Sequence, residues 1–109
     1  MLNLFYVGGN MDKLKQISKE ALDFWGYEPQ STMLIEEMGE LIKALCKYKR
    51  YDYENADQTV KDNLYEELAD VHNMLEQIEM YFGEEKIQEI RLSKLIRTQN
   101  RIKKLKENK

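Results

Sequence analysis

Two segments near the middle of the chain repeat one pattern of residue types, and this pattern constrains the fold most. The first segment reads Ile35-Glu36-Glu37-Met38-Gly39-Glu40-Leu41 and the second, thirty residues later, reads Tyr65-Glu66-Glu67-Leu68-Ala69-Asp70-Val71. Both run in the order apolar, acid, acid, apolar, small, acid, apolar. Because residues three or four apart share one face of an α-helix, each copy pairs two carboxylates beside an apolar stripe. The pattern therefore predicts two amphipathic helices with acidic edges.

Packing of the two stripes would bring four carboxylates together, namely those of Glu37, Glu40, Glu67 and Asp70. The stripes consist of Leu34, Met38, Leu41 and Leu45 in one helix and Leu64, Leu68, Val71 and Leu75 in the other. Carboxylates at such short distances repel one another and oppose folding. Oxygen-rich sites suit hard divalent cations such as Mg²⁺, Mn²⁺ or Ca²⁺, which would remove the conflict. The alternative is that these acids belong to solvated helix faces, since 34% of the chain is charged.

The acidic residues and their neighbours resemble a known family signature. Glu36-Glu37-x-x-Glu40, followed after an interval by Glu67-x-x-Asp70, is similar to the EExxE…ExxD signature of the MazG-like, all-α nucleoside triphosphate pyrophosphohydrolases. The flanking residues extend the resemblance, with Gln30 before the first acids and Gln77 after the last. Near the end of the chain, Lys94-Leu95-Ile96-Arg97 resembles the basic K-x-x-R element of the family. The resemblance covers about residues 22–101.

The resemblance implies an activity and a role for each acidic residue. The expected reaction is cleavage of a ribo- or deoxyribonucleoside triphosphate between its α- and β-phosphates, giving a monophosphate and pyrophosphate, as in house-cleaning of the nucleotide pool. Glu37, Glu40, Glu67 and Asp70 match the ligands of Mg²⁺, for which Mn²⁺ is a possible substitute. Glu36 matches the first acid of the signature and is expected to act around the metal or as a general base. A solvated or salt-bridged Glu36 is the alternative.

The same resemblance suggests residues that contact the substrate. Lys94 and Arg97 are expected to hold the β- and γ-phosphates, although they could instead pair with acids of neighbouring helices. Gln30 is a candidate for hydrogen bonding to the base and Gln77 for a position near the sugar. Trp25 could stack on a base, but a lone tryptophan between helices more often belongs to the core.

Other catalytic classes find little support in the sequence. A phosphate-binding loop ending in Lys-Ser or Lys-Thr after a glycine-rich stretch does not occur, and the single histidine, His72, has no metal-binding or triad motif around it. The single Cys46 cannot form an intramolecular disulfide. A net charge of −3 gives no reason to expect nucleic-acid binding. Without an apolar run near the roughly 20 residues that span a membrane, a cytoplasmic location is the default expectation.

Hydrophobic periodicity predicts one all-α domain over residues 1–109 with four helices. The predicted helices are Met11–Phe24 with Asn10 as N-cap, a second from Gln30 or Ser31 to Tyr48, Val60–Tyr81, and Glu84–Lys106. Residues 1–9 are expected to form an arm that turns at Gly8-Gly9, and residues 102–109 a basic tail. The inner face of the first helix is expected to carry Leu14, Ile17, Ala21 and Leu22, and one side of the fourth Ile87, Ile90, Leu95, Ile102 and Leu105. Residues 49–59 read as a loop.

Four helices in so short a chain leave a thin core and much apolar surface. We therefore expect a MazG-like bundle that is completed by association into a homodimer or homotetramer. A competing hypothesis for the function is a non-catalytic helical oligomer that binds a nucleotide or a protein partner, with acids that serve only solubility.

Overall fold

The computed structural model describes residues 4–108, and regular structure in this range is entirely helical. Four α-helices follow one another along the chain, which are α1 (Leu4–Trp25), α2 (Tyr27–Arg50), α3 (Gln58–Phe82) and α4 (Glu84–Glu107). A short 3₁₀ turn, Tyr53–Asn55, lies in the connection between α2 and α3. No strand occurs among the described residues, so the all-α prediction is confirmed. None of the helices described is both long enough and apolar enough to cross a membrane.

Single glycines separate α1 from α2 and α3 from α4. Gly26 has φ 83° and Gly83 has φ 119°, backbone conformations that residues with a Cβ atom rarely adopt. Gly83 ends α3 as predicted, and its amide donates to the Glu79 carbonyl at 2.8 Å. The second helix begins earlier than predicted, at Tyr27, because Pro29 is tolerated in a first helical turn, where backbone N–H groups lack intrahelical partners.

The predicted N-terminal arm is wrong where the structure describes it, because residues 4–9 belong to α1. Asn10 therefore lies inside the helix and cannot be its N-cap. Each glycine in a helix interior costs about 1 kcal/mol relative to alanine, which lowers helix stability without forbidding the conformation. Residues 1–3 of the arm and Lys109 of the predicted basic tail lie outside the described residues; the rest of that tail continues α4 to Glu107.

Helices α2 and α3 form an antiparallel hairpin that contains most of the core. Its buried apolar residues, together with one from the connection, are Leu34, Ala44, Ala56, Val60 and Leu64. The connection itself is well defined, since Asp57 caps α3 by accepting a hydrogen bond of 3.1 Å from the Val60 amide. The loop predicted over residues 49–59 thus contracts to 51–57, with the helices extended on both sides.

Helix α1 packs mainly against α3, and only the second half of the predicted inner face takes part. Ser18 is buried, Ala21 and Leu22 are half-buried, and Leu14 and Ile17 are exposed. The prediction for Leu14 and Ile17 is therefore wrong. A small residue at position 18 faces the protein interior instead, where Ser18 has a relative exposure of only 7%.

Helix α4 contacts the rest of the protomer only around its first turns and has no buried side chain. The radius of gyration is 17.5 Å, against about 13 Å for a compact domain of this length. The apolar side predicted for α4 is therefore not covered within one protomer: Ile87 is half-buried and Ile90, Leu95, Ile102 and Leu105 are exposed. The hairpin has a second uncovered apolar surface, formed by Met38, Leu45, Leu68 and Leu75.

Candidate metal centre

Carboxylates from both helices of the hairpin meet midway along its length. One carboxylate oxygen each from Glu37 on α2 and from Glu67 and Asp70 on α3 lies within 4.8 Å of the other two. The convergence follows from the antiparallel packing, because Glu37 lies between the buried Leu34 and the half-buried Leu41 on α2, and Glu67 lies between the buried Leu64 and the half-buried Val71 on α3. The rest of each predicted stripe is exposed, so that part of the prediction is wrong: Met38, Leu45, Leu68 and Leu75. The structure thus brings together three of the four residues that the sequence suggested as metal ligands.

The electrostatics of this acidic triad, Glu37, Glu67 and Asp70, oppose ionisation of all three groups at once. Partial burial raises the pKa of Glu37 above its ordinary value, and the nearby Asp70 and Glu67 carboxylates raise it further. Partial burial likewise raises the pKa of Glu67, followed by repulsion from Asp70, Glu40 and Glu66. Without a counterion the ionised triad is therefore a source of repulsion in the native state.

One oxygen of the triad lacks any partner. Although the Glu67 side chain is partly exposed, its Oε2 atom has no accessible surface and accepts no hydrogen bond from the described residues. Buried polar atoms are nearly always satisfied, and those that are not call for a bound ion, a water molecule or a proton. Three converging carboxylate groups, one of which carries an unsatisfied oxygen, are the donor set that Mg²⁺ and Mn²⁺ take.

The other two acids of the signature lie at the edge of this arrangement. Glu40 is exposed and pairs with Lys43 of its own helix at 3.5 Å, yet it is close enough to raise the pKa of Glu67. It is therefore adjacent to the triad and not a member of it. Glu36 is exposed and lies outside the group of converging carboxylates.

An open cleft of about 570 Å³ lies one helical turn from the triad, towards the start of α2. It is lined by Ala21, Trp25, Pro29, Gln30, Met33, Asn73, Met74 and Gln77. The structure therefore gathers Trp25, Gln30 and Gln77, three residues suggested separately as substrate contacts, into one cavity wall. Trp25 remains more than half exposed and is not core material.

Gln30 and Gln77 form the buried polar floor of this cleft. Gln30 Nε2 donates to Gln77 Oε1 at 2.7 Å, and Gln77 Nε2 donates to the Asn73 carbonyl oxygen at 3.2 Å. Gln30 Oε1 accepts no hydrogen bond from the described residues and can accept one from a molecule in the cleft. The pair can therefore present a fixed amide group to a ligand.

Sequence reasoning missed Asn73 and Met33, which join the cleft to the triad. Asn73 is one helical turn after Asp70, and Met33 is one turn before Glu37. The signal was available, because positions three and four residues apart lie side by side on a helix. The feature to notice was the amide of Asn73, one turn from the acidic Asp70 on the same helix face.

The basic pair suggested for the phosphates is not brought to the acids within one protomer. Lys94 and Arg97 are exposed on α4, which packs against α3 near Gly83 and makes no packing contact with α2. Neither side chain forms an ion pair with a described acidic residue. His72 is exposed and lies outside the triad.

Comparison with known proteins adds no relative to this picture. The chain matches no protein-family model, no curated protein sequence and no solved structure.

Proposed function

We propose that the protein is a Mg²⁺-dependent nucleoside triphosphate pyrophosphohydrolase of the MazG-like class. The observation that carries the proposal is the convergence of Glu37, Glu67 and Asp70 within 4.8 Å, beside a cleft of a size suited to a small ligand. The similarity of the acidic signature to that family supplies the reaction, hydrolysis between the α- and β-phosphates to a monophosphate and pyrophosphate.

The acidic triad would hold Mg²⁺ or Mn²⁺, with Glu40 able to join from the next turn of α2. A divalent cation bound there supplies charge neutralisation for the phosphates and lowers the pKa of coordinated water. The unsatisfied Glu67 Oε2 is the strongest sign of fit in the protein itself. Glu36 remains our candidate for a supporting or proton-accepting role, which its exposed position on the same helix permits.

The cleft would bind and orient the nucleoside part of the substrate. The fixed Gln30–Gln77 pair offers hydrogen bonds to polar edges of a base, while the exposed indole of Trp25 offers a stacking surface. Asn73 lies between this floor and the triad, where an amide can reach the sugar. Such placement would hold the α-phosphate at the carboxylates in a fixed orientation for attack by water, which lowers the entropic cost of the reaction.

A homodimer or homotetramer is the assembly that we propose. Two apolar surfaces lie uncovered in the protomer, one on the hairpin and one along α4, and isolated soluble proteins rarely leave such surfaces open. In that assembly a neighbouring protomer could supply Lys94 and Arg97 to the site. The same exposed surface also favours the second candidate, a non-catalytic helical oligomer that binds a nucleotide or a protein.

A substrate panel separates the two candidates. Purified protein is incubated with canonical and damaged nucleoside triphosphates and Mg²⁺, and phosphate and pyrophosphate are quantified separately. The enzyme hypothesis requires metal-dependent pyrophosphate release from at least one nucleotide, abolished by a chelator and by Asp70→Asn. Nucleotide binding without product would support the non-catalytic alternative, whereas pyrophosphate release that Asp70→Asn leaves unchanged would rule out the triad as the catalytic metal centre.

A further inference from the structure

A second groove, of about 360 Å³, lies on the opposite side of the acidic triad from the Trp25 cleft. It is lined by Glu40, Ile42, Lys43, Ala44, Cys46, Lys47, Arg50, Asn63 and Glu67. Glu67 belongs to both the triad and this groove, so the two sites share a wall. The cleft, the triad and the groove thus follow one another along the hairpin.

The groove is distinguished by three cations on one helix. Lys43, Lys47 and Arg50 follow Glu40 at intervals of three, four and three residues, which places all of them on one face of α2. Lys47 lies about 10 Å beyond Glu40 along the helix axis. Helical side chains lean towards the N-terminus of their helix, so the long Lys47 and Arg50 side chains can reach back towards the acids.

Two of these cations form no ion pair with a described acid, although Lys47 is close enough to Asp57 to lower the pKa of that carboxyl. Lys43 pairs with Glu40 at 3.5 Å, whereas neither Lys47 nor Arg50 forms an ion pair with any described side chain. A simpler explanation is that basic residues in the last turn of a helix complement its dipole. That explanation applies equally to Lys49, which is also in the last turn but does not line the groove. Lys49 therefore provides a matched control.

We propose that Lys47 and Arg50, assisted by the Asn63 amide, bind the terminal phosphates of a nucleoside triphosphate whose α-phosphate lies at the triad. The assignment rests on the proposed function and gives each part of the substrate its own place on a single protomer. The nucleoside occupies the Trp25 cleft and the departing pyrophosphate occupies the groove. It differs from the expectation for Lys94 and Arg97, which only another protomer could bring to the site.

The groove offers a chemistry suited to a phosphate chain. Arg50 can donate two parallel hydrogen bonds to phosphate oxygens, and Lys47 provides a compact positive charge. Asn63 faces them from α3, so donors approach from both walls. The paired Glu40 and Lys43 mark the boundary between the metal-binding and the phosphate-binding parts.

The test measures binding of inorganic pyrophosphate to the full chain by titration calorimetry with Mg²⁺ present. Variants are Lys47→Ala, Arg50→Ala, Lys49→Ala and Arg97→Ala, and each is also assayed for Mn²⁺ binding. We expect Lys47→Ala and Arg50→Ala each to raise the Kd for pyrophosphate by roughly tenfold, the value of one charge-assisted hydrogen bond. Lys49→Ala should change it less than about twofold, and Mn²⁺ affinity should persist in all four variants. Arg97→Ala tests whether a neighbouring protomer contributes to phosphate binding as well.

Each outcome decides between this subsite and the wider function. Equal effects of Lys47→Ala and Lys49→Ala, a loss confined to Arg97→Ala, or no pyrophosphate binding by the wild-type protein would overturn the subsite. If one of those results were found and the wild-type protein still released pyrophosphate from nucleotides, the subsite would be refuted but the enzyme proposal would stand. Conversely, Lys47-dependent binding of pyrophosphate by a protein that hydrolyses no nucleotide would support the subsite and refute the enzyme.

Discussion

Gln30 on α2 donates a hydrogen bond of 2.7 Å to Gln77 on α3, and both side chains are almost fully buried. The pair fixes the antiparallel register of the hairpin, because a shift of either helix would leave a buried amide without a partner. The same register aligns Glu37 with Asp70 two turns further along. A hydrogen bond in the floor of the cleft therefore helps to position the acidic triad.

Replacement of Gln77 by leucine should destabilise the fold by about 1–3 kcal/mol, since it leaves the Gln30 amide buried and unpaired. Urea unfolding monitored by circular dichroism measures this loss. The double variant Gln30→Leu/Gln77→Leu should lose less than the sum of the single variants, because no unpaired amide remains. Additive losses would show that the hydrogen bond contributes little to stability.

Asp70→Asn should abolish both nucleotide hydrolysis and metal-dependent stabilisation while preserving the fold. In the absence of metal, its melting temperature near neutral pH should equal or exceed that of the wild-type protein, because one repelling charge is removed. Thermal denaturation with and without millimolar Mg²⁺ provides the measurement. Asp62→Asn, the same chemical change at an exposed position of α3, should retain the full metal-induced shift. Unchanged hydrolysis by Asp70→Asn would rule out the triad as the metal centre.

The stability of the metal-free protein should fall as the pH rises through the mildly acidic range. The pKa values of Glu37 and Glu67 are raised in the native state above an ordinary value of 4.5. A carboxyl group whose pKa is higher in the native than in the unfolded state stabilises the fold at pH values below its unfolded pKa. This stabilisation is lost as the pH rises through the native pKa. Denaturant unfolding at a series of pH values tests the sign, and saturating Mg²⁺ should reverse the trend. The variant Glu67→Gln should flatten the metal-free profile; an unchanged slope would count against the raised pKa.

Asp57→Ala should lower the melting temperature by about 4 °C, the effect of losing one helix cap in a domain of this size. Hydrogen bonds from the Thr59 hydroxyl and the Val60 amide lower the pKa of Asp57 below its ordinary value of 3.8. The contribution of ionised Asp57 to stability is therefore fully present above pH 3.8, and it is lost as the pH falls through the lowered native pKa. Asp57→Ser should recover most of the loss, since serine also caps helices. If serine behaved like alanine, the cap would not be the source of the stability.

Light scattering at micromolar concentration should report a mass two or four times that of the 13.1 kDa chain. Leu45→Glu and Leu95→Glu place a charge on the two uncovered apolar surfaces, and at least one of them should lower the mass. Ser93→Glu adds the same charge on the side of α4 opposite Leu95 and Ile102 and serves as the control. A wild-type monomer that hydrolyses nucleotides at this concentration would contradict the prediction.

Residue patterns on α2 and α3 predicted much of the candidate site, because the acids and the apolar residues beside them repeat with helical spacing. Gly83 likewise marked the end of a helix correctly. The start of α1 could not be predicted from Gly8-Gly9, since helix propensity is a weak effect that the rest of a long helix can override. The direction of α4 was also beyond reach, because the positive φ of Gly83 decides it and residue types alone do not reveal that angle.

The absence of buried side chains on α4 has a consequence for the hydrogen exchange of its backbone amides. Local opening of a segment costs least where few apolar groups are packed, so backbone amides of α4 in an isolated protomer should exchange with deuterium far sooner than those near Leu64. Contact with another copy would bury the same helix and slow that exchange. The deuterium uptake of α4, followed against protein concentration, therefore reports directly on the assembled state.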